Sequence, residues 1–395
     1  MKNYYIYTFG CKVNQYESRL IADKLKEDGG NEVLNPQEAD IIIFNSCTVT
    51  GNADKECQYF LRKSLKLTHN PKIILTGCFA KNKNEELKKK FPEIEIIDDK
   101  TKLYAKPESQ TVKTFAGRSR AFLKIQDGCS SFCSYCIVPY VRNSLWSKPE
   151  NDVLSEIKNF AENGYPEIVL TGIHVGKYFD AGSRLNFSGL VEKIAAMPLD
   201  FRIRISSIEL NEIDDKLIKL MKDYPDKICR HMHIPLQSGS DEILKLMNRK
   251  YLTADFEKKT KALLADFADL ALTTDIITGF PGETGKHHNE TAQFIKQTKF
   301  ARLHIFRYSD RQGAQASKFN GKVPSQEIKR RSEELFEIDA LKRKDFLSKN
   351  SGKKRKAVSI GKNKALTDNY ITVLTGENVA KTGIFEVELD KTAEI

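Results

Sequence analysis

The chain has 395 residues, 40% hydrophobic and 30% charged, with a formal net charge of +11. That length exceeds one ordinary core, so two or three domains are expected. No apolar run is long enough to span a membrane and no charged-then-apolar leader is visible, which reads as a cytoplasmic protein with no membrane contact. The positive surplus favours a polyanionic partner such as nucleic acid. Eight cysteines in a reducing compartment point to metal ligands or buried thiols rather than disulfides.

The first segment, 1–118, reads as alternating strands and helices. Runs 4–9, 41–45, 72–76 and 93–97 are short and rich in Ile, Tyr and Phe, as buried strands are. Between the first two, 14–28 sets Leu20, Ile21 and Leu25 on one helical face, and Gly29-Gly30 ends it. Such alternation predicts an open parallel sheet. Cys11, Cys47 and Cys78 each follow one of these strands. In parallel sheets the carboxyl ends of strands line the ligand crevice, so the three thiols should converge. A cluster, a zinc ion or chance burial all fit that triplet. Cys57 and Cys229 lack such placement and read as structural thiols.

The segment 119–315 repeats a strand–helix unit about six times. The strands are 122–126, 168–171, 202–207, 231–235, 271–278 and 303–308, with helices such as 153–163, 241–247 and 253–266 between them. This predicts a partial (β/α)6 barrel, TIM-like, whose chemistry sits at the C-terminal face. The loop after the first strand carries Cys129, Cys133 and Cys136, spaced C-x₃-C-x₂-C. Three thiolates in so short a loop suit one metal centre. They are one fewer than a closed zinc site or a four-cysteine cluster needs. A zinc knuckle with a distant fourth ligand, or plain buried thiols, is the alternative. The other strand ends carry polar or glycine-rich turns, including Thr171-Gly172, Ser207 to Glu209, Gln237-Ser238 and Gly279-Phe280. Turns of this kind on one rigid scaffold suit a charged cofactor.

Residues 316–350 read as a basic helical connector. A helix over 326–347 should turn Ile328, Leu335, Ile338, Leu341 and Phe346 inward. Then come Lys353-Lys354-Arg355-Lys356 and two strands, 370–374 and 384–389, in a small basic β module, 351–395. Such a run is either a solvated face or an RNA contact.

The C-x₃-C-x₂-C loop, with Tyr135 before its last cysteine, resembles that of radical S-adenosylmethionine enzymes. With Cys11, Cys47, Cys78 and the basic tail, nearly the whole chain resembles the methylthiotransferases of that class. The run 9–18, Phe-Gly-Cys-Lys-Val-Asn-Gln-Tyr-Glu-Ser, is similar to the branch acting on N6-threonylcarbamoyladenosine in tRNA. The alternatives are the isopentenyladenosine branch, the ribosomal-protein branch and a non-enzymatic RNA-binding iron–sulfur protein. Two features depart from the family pattern. Asn143-Ser-Leu-Trp-Ser-Lys148 follows Arg142 in place of Gly-Arg-Ser-Arg, and the tail is short for a complete TRAM module.

The resemblance implies two [4Fe–4S] clusters. Cys129, Cys133 and Cys136 match the radical-cluster ligands, and Cys11, Cys47 and Cys78 the auxiliary ones. It implies S-adenosylmethionine near Tyr135, Thr171, Gly172, Ser207, Glu209, Gln237, Ser238, Gly279 and Phe280. It implies a tRNA anticodon loop as partner, not DNA, with RNA contacts at Lys353, Lys354, Arg355 and Lys356, and an external electron donor. No side chain is singled out as a catalytic acid or base.

Overall fold

The computed structural model describes residues 1–104, 111–115, 119–361, 363–375, 383–390 and 393–395. Near the N-terminus, β1 (Asn3–Thr8), β2 (Asn31–Glu32), β3 (Ile41–Ser46), β4 (Lys72–Gly77) and β5 (Glu95–Ile96) form a parallel sheet ordered β2-β1-β3-β4-β5. The β3 run Ile-Ile-Ile-Phe is apolar without alternation because helices cover both faces of a parallel sheet. Those helices are α1 (Lys12–Glu27), α2 (Gly51–Ser64), α3 (Cys78–Asn82) and α4 (Asn84–Lys90). Thr50 caps α2, its hydroxyl accepting from the N–H of Ala53 at 3.3 Å.

Six longer parallel strands follow, interrupted by short antiparallel pieces. The parallel strands are β6 (Arg120–Asp127), β8 (Glu167–Gly172), β11 (Arg202–Ile205), β12 (His231–His233), β13 (Ala271–Thr278) and β14 (Arg302–Arg307), and the short pieces are β7 (Trp146–Ser147), β9 (Phe179–Asp180) and β10 (Leu185–Asn186). Strands β6, β8 and β11 pair in parallel, and so do β12, β13 and β14. A parallel bridge from Ile203 to Ile228 joins the two groups, giving the expected partial barrel. The connecting helices include α5 (Val138–Val141), α6 (Glu150–Glu162), α7 (Phe187–Ala195), α8 (Asp215–Asp223), α9 (Asp241–Leu246), α10 (Thr253–Asp266) and α11 (Gly285–Gln297). Helix α1 packs on β6 and β8 and places Tyr16, Leu20 and Ile21 in the barrel's own core. The N-terminal sheet is thereby wedged against the barrel, and the ends of both sets of strands open onto shared space.

Helix α12 (Ser325–Asn350) is longer than 326–347, and its inner face differs from the expected one. Leu335 and Ile338 are buried, but Leu341 is 68% exposed. At about 100° per residue, Leu341 lies roughly 120° around the helix from Leu335. Arg331 and Asp339 take the inner face instead. Arg331 pairs with Glu283, and Asp339 Oδ1 accepts the N–H of Leu303 at 2.7 Å. The tail also differs from the two strands expected. It is a four-stranded antiparallel sheet ordered β17-β16-β15-β18, with β15 (Lys354–Gly361), β16 (Lys364–Thr367), β17 (Thr372–Leu374) and β18 (Ile384–Glu388). The basic run enters β15 directly. Its lysines mask the strand because the charge run hides the apolar Ala357-Val358 that the sheet buries. Arg202 and Arg204 of β11 dock this sheet, donating to the carbonyls of Lys356, Leu366, Thr367 and Asp368 at 2.8–3.0 Å. Among the described residues, no helix is long and apolar enough to cross a membrane.

Candidate active site

The loop after β6 is held tightly. Gly128 has φ +80°, and a Cβ there would meet the carbonyl oxygen of Ser144 at 2.3 Å, so only glycine fits. Ser134 donates from its N–H to Met247 O at 3.1 Å and from its hydroxyl to Leu246 O at 2.7 Å. Asn248 donates to Phe132 O at 3.0 Å, holding that residue at φ +47°. Cys129, Cys133 and Cys136 are therefore presented on a pinned loop at the carboxyl ends of the strands.

Donors are aimed at the sulfurs. The Ser131 N–H lies 3.4 Å from Cys129 Sγ, and His174 Nδ1 lies 3.5 Å from it. His174 Nε2 is 2.7 Å from Glu212 Oε1. Burial works to lower the His174 pKa, but its bonds to Cys129 and Glu212 outweigh it and raise it to about 9. Burial likewise opposes ionisation of Cys129, and His174 and Ser131 reverse that and pull its thiol below the usual range. Arg249 donates from one nitrogen to Cys133 Sγ at 3.5 Å and to Glu209 Oε1 at 3.1 Å. Three convergent sulfurs, two with cationic donors, fit a thiolate-ligated cluster that leaves one metal coordination position to a small molecule.

Cys11 caps α1, Cys47 follows β3 and Cys78 opens α3, all at carboxyl ends of neighbouring strands. Gly10 has φ +81°, and a Cβ there would lie 2.6 Å from Cys47 Sγ, so the first two loops touch. Burial pushes the Cys47 thiol up to about 11, and Cys11 and Cys78 add to that. Arg142 reaches this triplet, its Nε lying 3.3 Å from Cys78 Sγ.

A cavity of about 570 Å³ is lined by Cys11 from the first triplet and by Cys129, Cys133 and Cys136 from the second. Tyr135, Thr171, Gly172, Ser207 and Glu209 line it too. Gln237 lines an adjoining cavity of about 180 Å³ with Tyr135 and Cys136. Ser238, Gly279 and Phe280 sit behind these walls. Ser238 Oγ is 3.2 Å from Thr291 Oγ1, a Cβ on Gly279 would meet Ile328, and Phe280 is buried against Tyr308 and Phe319. In the tail, Arg355 is paired with Asp269 and Asp368, Lys354 with Glu386 and Lys356 with Asp226. Cys57 and Cys229 are buried, Cys57 in the same core cluster as Cys47, and burial raises the Cys229 thiol to about 12.

Sequence reasoning missed several residues here. His174 stands in the turn after β8 and Arg249 in the turn after α9, and nothing local says that they face sulfur. His233, Asp275 and His304 come from three adjacent strands, and their ligand atoms all lie within 4.8 Å of one another, close enough to share a divalent cation. As arranged, His233 Nε2 is 3.2 Å and His304 Nδ1 3.3 Å from Asp275 Oδ1. The signal that would find them is one polar position at matching heights on neighbouring barrel strands.

A three-cysteine loop at the mouth of a partial parallel barrel, with polar strand ends around it, defines a radical S-adenosylmethionine enzyme. Comparison with known proteins agrees. The Radical SAM superfamily model matches residues 123–295, and that of Uncharacterized protein family UPF0004 matches 3–98. The chain is 38% identical to Threonylcarbamoyladenosine tRNA methylthiotransferase MtaB of Thermotoga maritima, covering 87% of this chain and 82% of that protein. It is 35% identical to tRNA-2-methylthio-N(6)-dimethylallyladenosine synthase of Thermodesulfovibrio yellowstonii, covering 89% and 85%. Among solved structures, the radical S-adenosylmethionine methyltransferase TsrM from Kitasatospora setae superposes with a TM-score of 0.57 at 12% identity, covering 77% of this chain and 74% of that one. That likeness shows the fold. The chain belongs to the radical S-adenosylmethionine methylthiotransferase family, an enzyme family that uses S-adenosylmethionine and a [4Fe–4S] cluster.

Proposed function

We propose that this chain places a methylthio group on C2 of N6-threonylcarbamoyladenosine next to the anticodon of tRNA. The supporting observation is that Cys11 of one triplet and all three cysteines of the other line one cavity. Relatives named for that nucleoside match most of the chain. Others named for the dimethylallyl nucleoside match nearly as well, so the experiment must separate the two substrates.

Cys129, Cys133 and Cys136 would hold the radical cluster, and Cys11, Cys47 and Cys78 an auxiliary [4Fe–4S] cluster, each three-thiolate set leaving one iron free for a small molecule. The cluster and S-adenosylmethionine would supply one-electron reductive chemistry at this site. The chain's own residues orient and exclude water. His174 and Arg249 stabilise the thiolates of Cys129 and Cys133. Glu209, held by Arg249, and Ser207 receive the cofactor's polar groups, with Thr171 and Gly172 on the facing strand end. Tyr135 and Gln237 close the adjoining wall, which Ser238, Gly279 and Phe280 support from behind.

The functional units are 1–118, 119–315, 316–350 and 351–395. The target base must leave its stack to reach the cavity, as is usual for single-stranded RNA recognition. Lys353, Lys354, Arg355 and Lys356 belong to the module that would meet the RNA backbone. An external electron donor and a cytoplasmic setting complete the reading.

Purified, reconstituted enzyme should add a methylthio group to tRNA carrying the threonylcarbamoyl nucleoside, read by nucleoside mass spectrometry. It should leave tRNA carrying only isopentenyladenosine unmodified. The reverse preference, or turnover of a ribosomal-protein peptide, would overturn the substrate while leaving the family intact. Replacing Cys11, Cys47 and Cys78 together by Ala should remove about half the iron and retain 5′-deoxyadenosine formation. Unchanged iron would remove the auxiliary cluster from the scheme.

A further inference from the structure

One end of the large cavity carries polar groups that the cluster and cofactor roles leave unused. His231 on β12 is only 5% exposed, and its ring lines the cavity. Tyr370, from the C-terminal sheet, stacks on it with ring centroids 4.2 Å apart, so the ring cannot swing away. Its Nε2 lies 3.2 Å from Thr273 Oγ1, and its Nδ1 has no hydrogen-bond partner. A buried polar atom left without a partner costs free energy until a ligand satisfies it.

Thr273 Oγ1 also lies 2.9 Å from His233 Nδ1, so this one hydroxyl is shared between two rings. His231 Nδ1 is left without a partner whichever nitrogen of its ring carries the hydrogen. Burial first, and Arg204 next, keep the ring neutral. A hydroxyl, which both donates and accepts, would satisfy Nδ1 in either tautomer.

Lys12 lies near this ring, and its charge adds to the downward push on His231. It lines the same cavity, half-buried, one residue after Cys11. The other lining cations are occupied. Arg204 and Arg120 pair with Glu167, and Arg249 pairs with Glu209. Among the described residues Lys12 alone of the four has no ion-pair or hydrogen-bond partner. An unpaired ammonium and an unpartnered imidazole nitrogen on residues lining one cavity are complementary to a ligand fragment bearing both a carboxylate and a neighbouring hydroxyl.

We infer that Lys12 and His231 form the subsite for the N6 substituent of the target adenosine, Lys12 taking its carboxylate and His231 Nδ1 its hydroxyl. This rests on the proposed substrate and names the side chains that select it. An isopentenyl chain offers neither group and would leave both residues unsatisfied, the arrangement that discriminates most strongly between related substrates.

Binding of anticodon stem–loops to the cluster-reconstituted full chain tests this without relying on turnover. Three probes carry N6-threonylcarbamoyladenosine, its carboxyl methyl ester, or the glycylcarbamoyl analogue that lacks the hydroxyl. Wild-type protein should bind the acid about tenfold or more tighter than the ester, the size of a charge-assisted hydrogen bond. Lys12→Gln should bind acid and ester alike, and Lys12→Arg should restore the preference. His231→Phe, which keeps the stack on Tyr370, should lose the distinction between threonyl and glycyl probes and retain that between acid and ester. Iron content equal to wild type confirms that each variant is assembled. If wild-type protein distinguishes acid from ester and Lys12→Gln does so equally, the inference fails and the substrate stands. If wild-type protein ignores the substituent altogether and does not turn over the threonylcarbamoyl tRNA, the substrate reading fails with it.

Discussion

Arg142 donates its Nε hydrogen to the sulfur of Cys78 across 3.3 Å, while its own carbonyl oxygen accepts the N–H of Cys129 at 3.3 Å. One residue thus touches a cysteine of each triplet. Its guanidinium also binds Glu17 of α1 at 2.9–3.0 Å, Asn14 at 2.8 Å and Asp127 at the end of β6 at 2.8–2.9 Å. All five of its N–H directions are engaged by the N-terminal sheet unit and the barrel together, which makes it the joint between them. The altered sequence just after Arg142 therefore follows a residue whose work is internal. Asn143 and Ser144 line a cavity of about 290 Å³ beside the same charge network.

Replacing Arg142 by Met should lower stability by about 3–5 kcal/mol, because Glu17 and Asp127 lose a buried partner. Urea unfolding of the variant measures this. Arg142→Lys keeps the charge but cannot span Cys78, Glu17, Asn14 and Asp127 at once, so it should recover only part of the loss. Lys100 and Lys124 also pair with Glu17, and Lys124 with Asp127; a midpoint unchanged in the Met variant would show that these two lysines suffice.

The same network predicts an acid limit. Burial opposes ionisation of Asp127, but Arg142 and then Lys124 hold its pKa down at about 2, and Glu17 is held well below the usual carboxylate range by the same cations. A depressed folded pKa adds stability that is complete above the unfolded value and disappears as pH falls through the folded one. Stability should therefore fall between about pH 5 and pH 2. Asp127→Asn should be less stable at neutral pH and show a flatter fall over that window, read as the melting temperature against pH. Parallel curves would remove Asp127 from the acid response.

The basic run of the tail should split into two behaviours. Lys353→Ala with Lys354→Ala should weaken tRNA binding and reduce the slope of log affinity against log salt by about 1–2. Arg355→Ala should instead loosen the C-terminal sheet, since Arg355 joins Asp269 of the barrel side to Asp368 within the sheet. Limited proteolysis of that module should quicken in the arginine variant alone. Equal salt slopes in wild type and the lysine pair would make the run a solvated face.

Helix α12 offers a packing test. Leu335→Ala should cost about 2–5 kcal/mol, as large-to-small changes in cores do. Leu341→Ala should stay within about 0.5 kcal/mol, as exposed positions do. Denaturant midpoints of the two variants separate the two registers of this helix directly.

The sequence alone determined the strand–helix alternation, the six-strand barrel and the two cysteine triplets, because each is written in local periodicity and spacing. The strand-end positions of Cys11, Cys47 and Cys78 already implied that they meet, since parallel strands bring their carboxyl ends to one edge. Residues whose role depends on a neighbour from another strand carried no local mark. His174 and Arg249 gain their role from a sulfur about 45 and 116 residues away in the chain. Leu341 kept an apolar pattern, yet tertiary packing gave the inner face of α12 to Arg331 and Asp339, since buried partners existed for them. Lys12 and His231 show the same division most sharply. Their chemistry was readable as residue types, but only the fold brought an unpaired ammonium and an unpartnered imidazole nitrogen to one cavity, because the two residues come from distant strand ends that the barrel and the N-terminal sheet bring together.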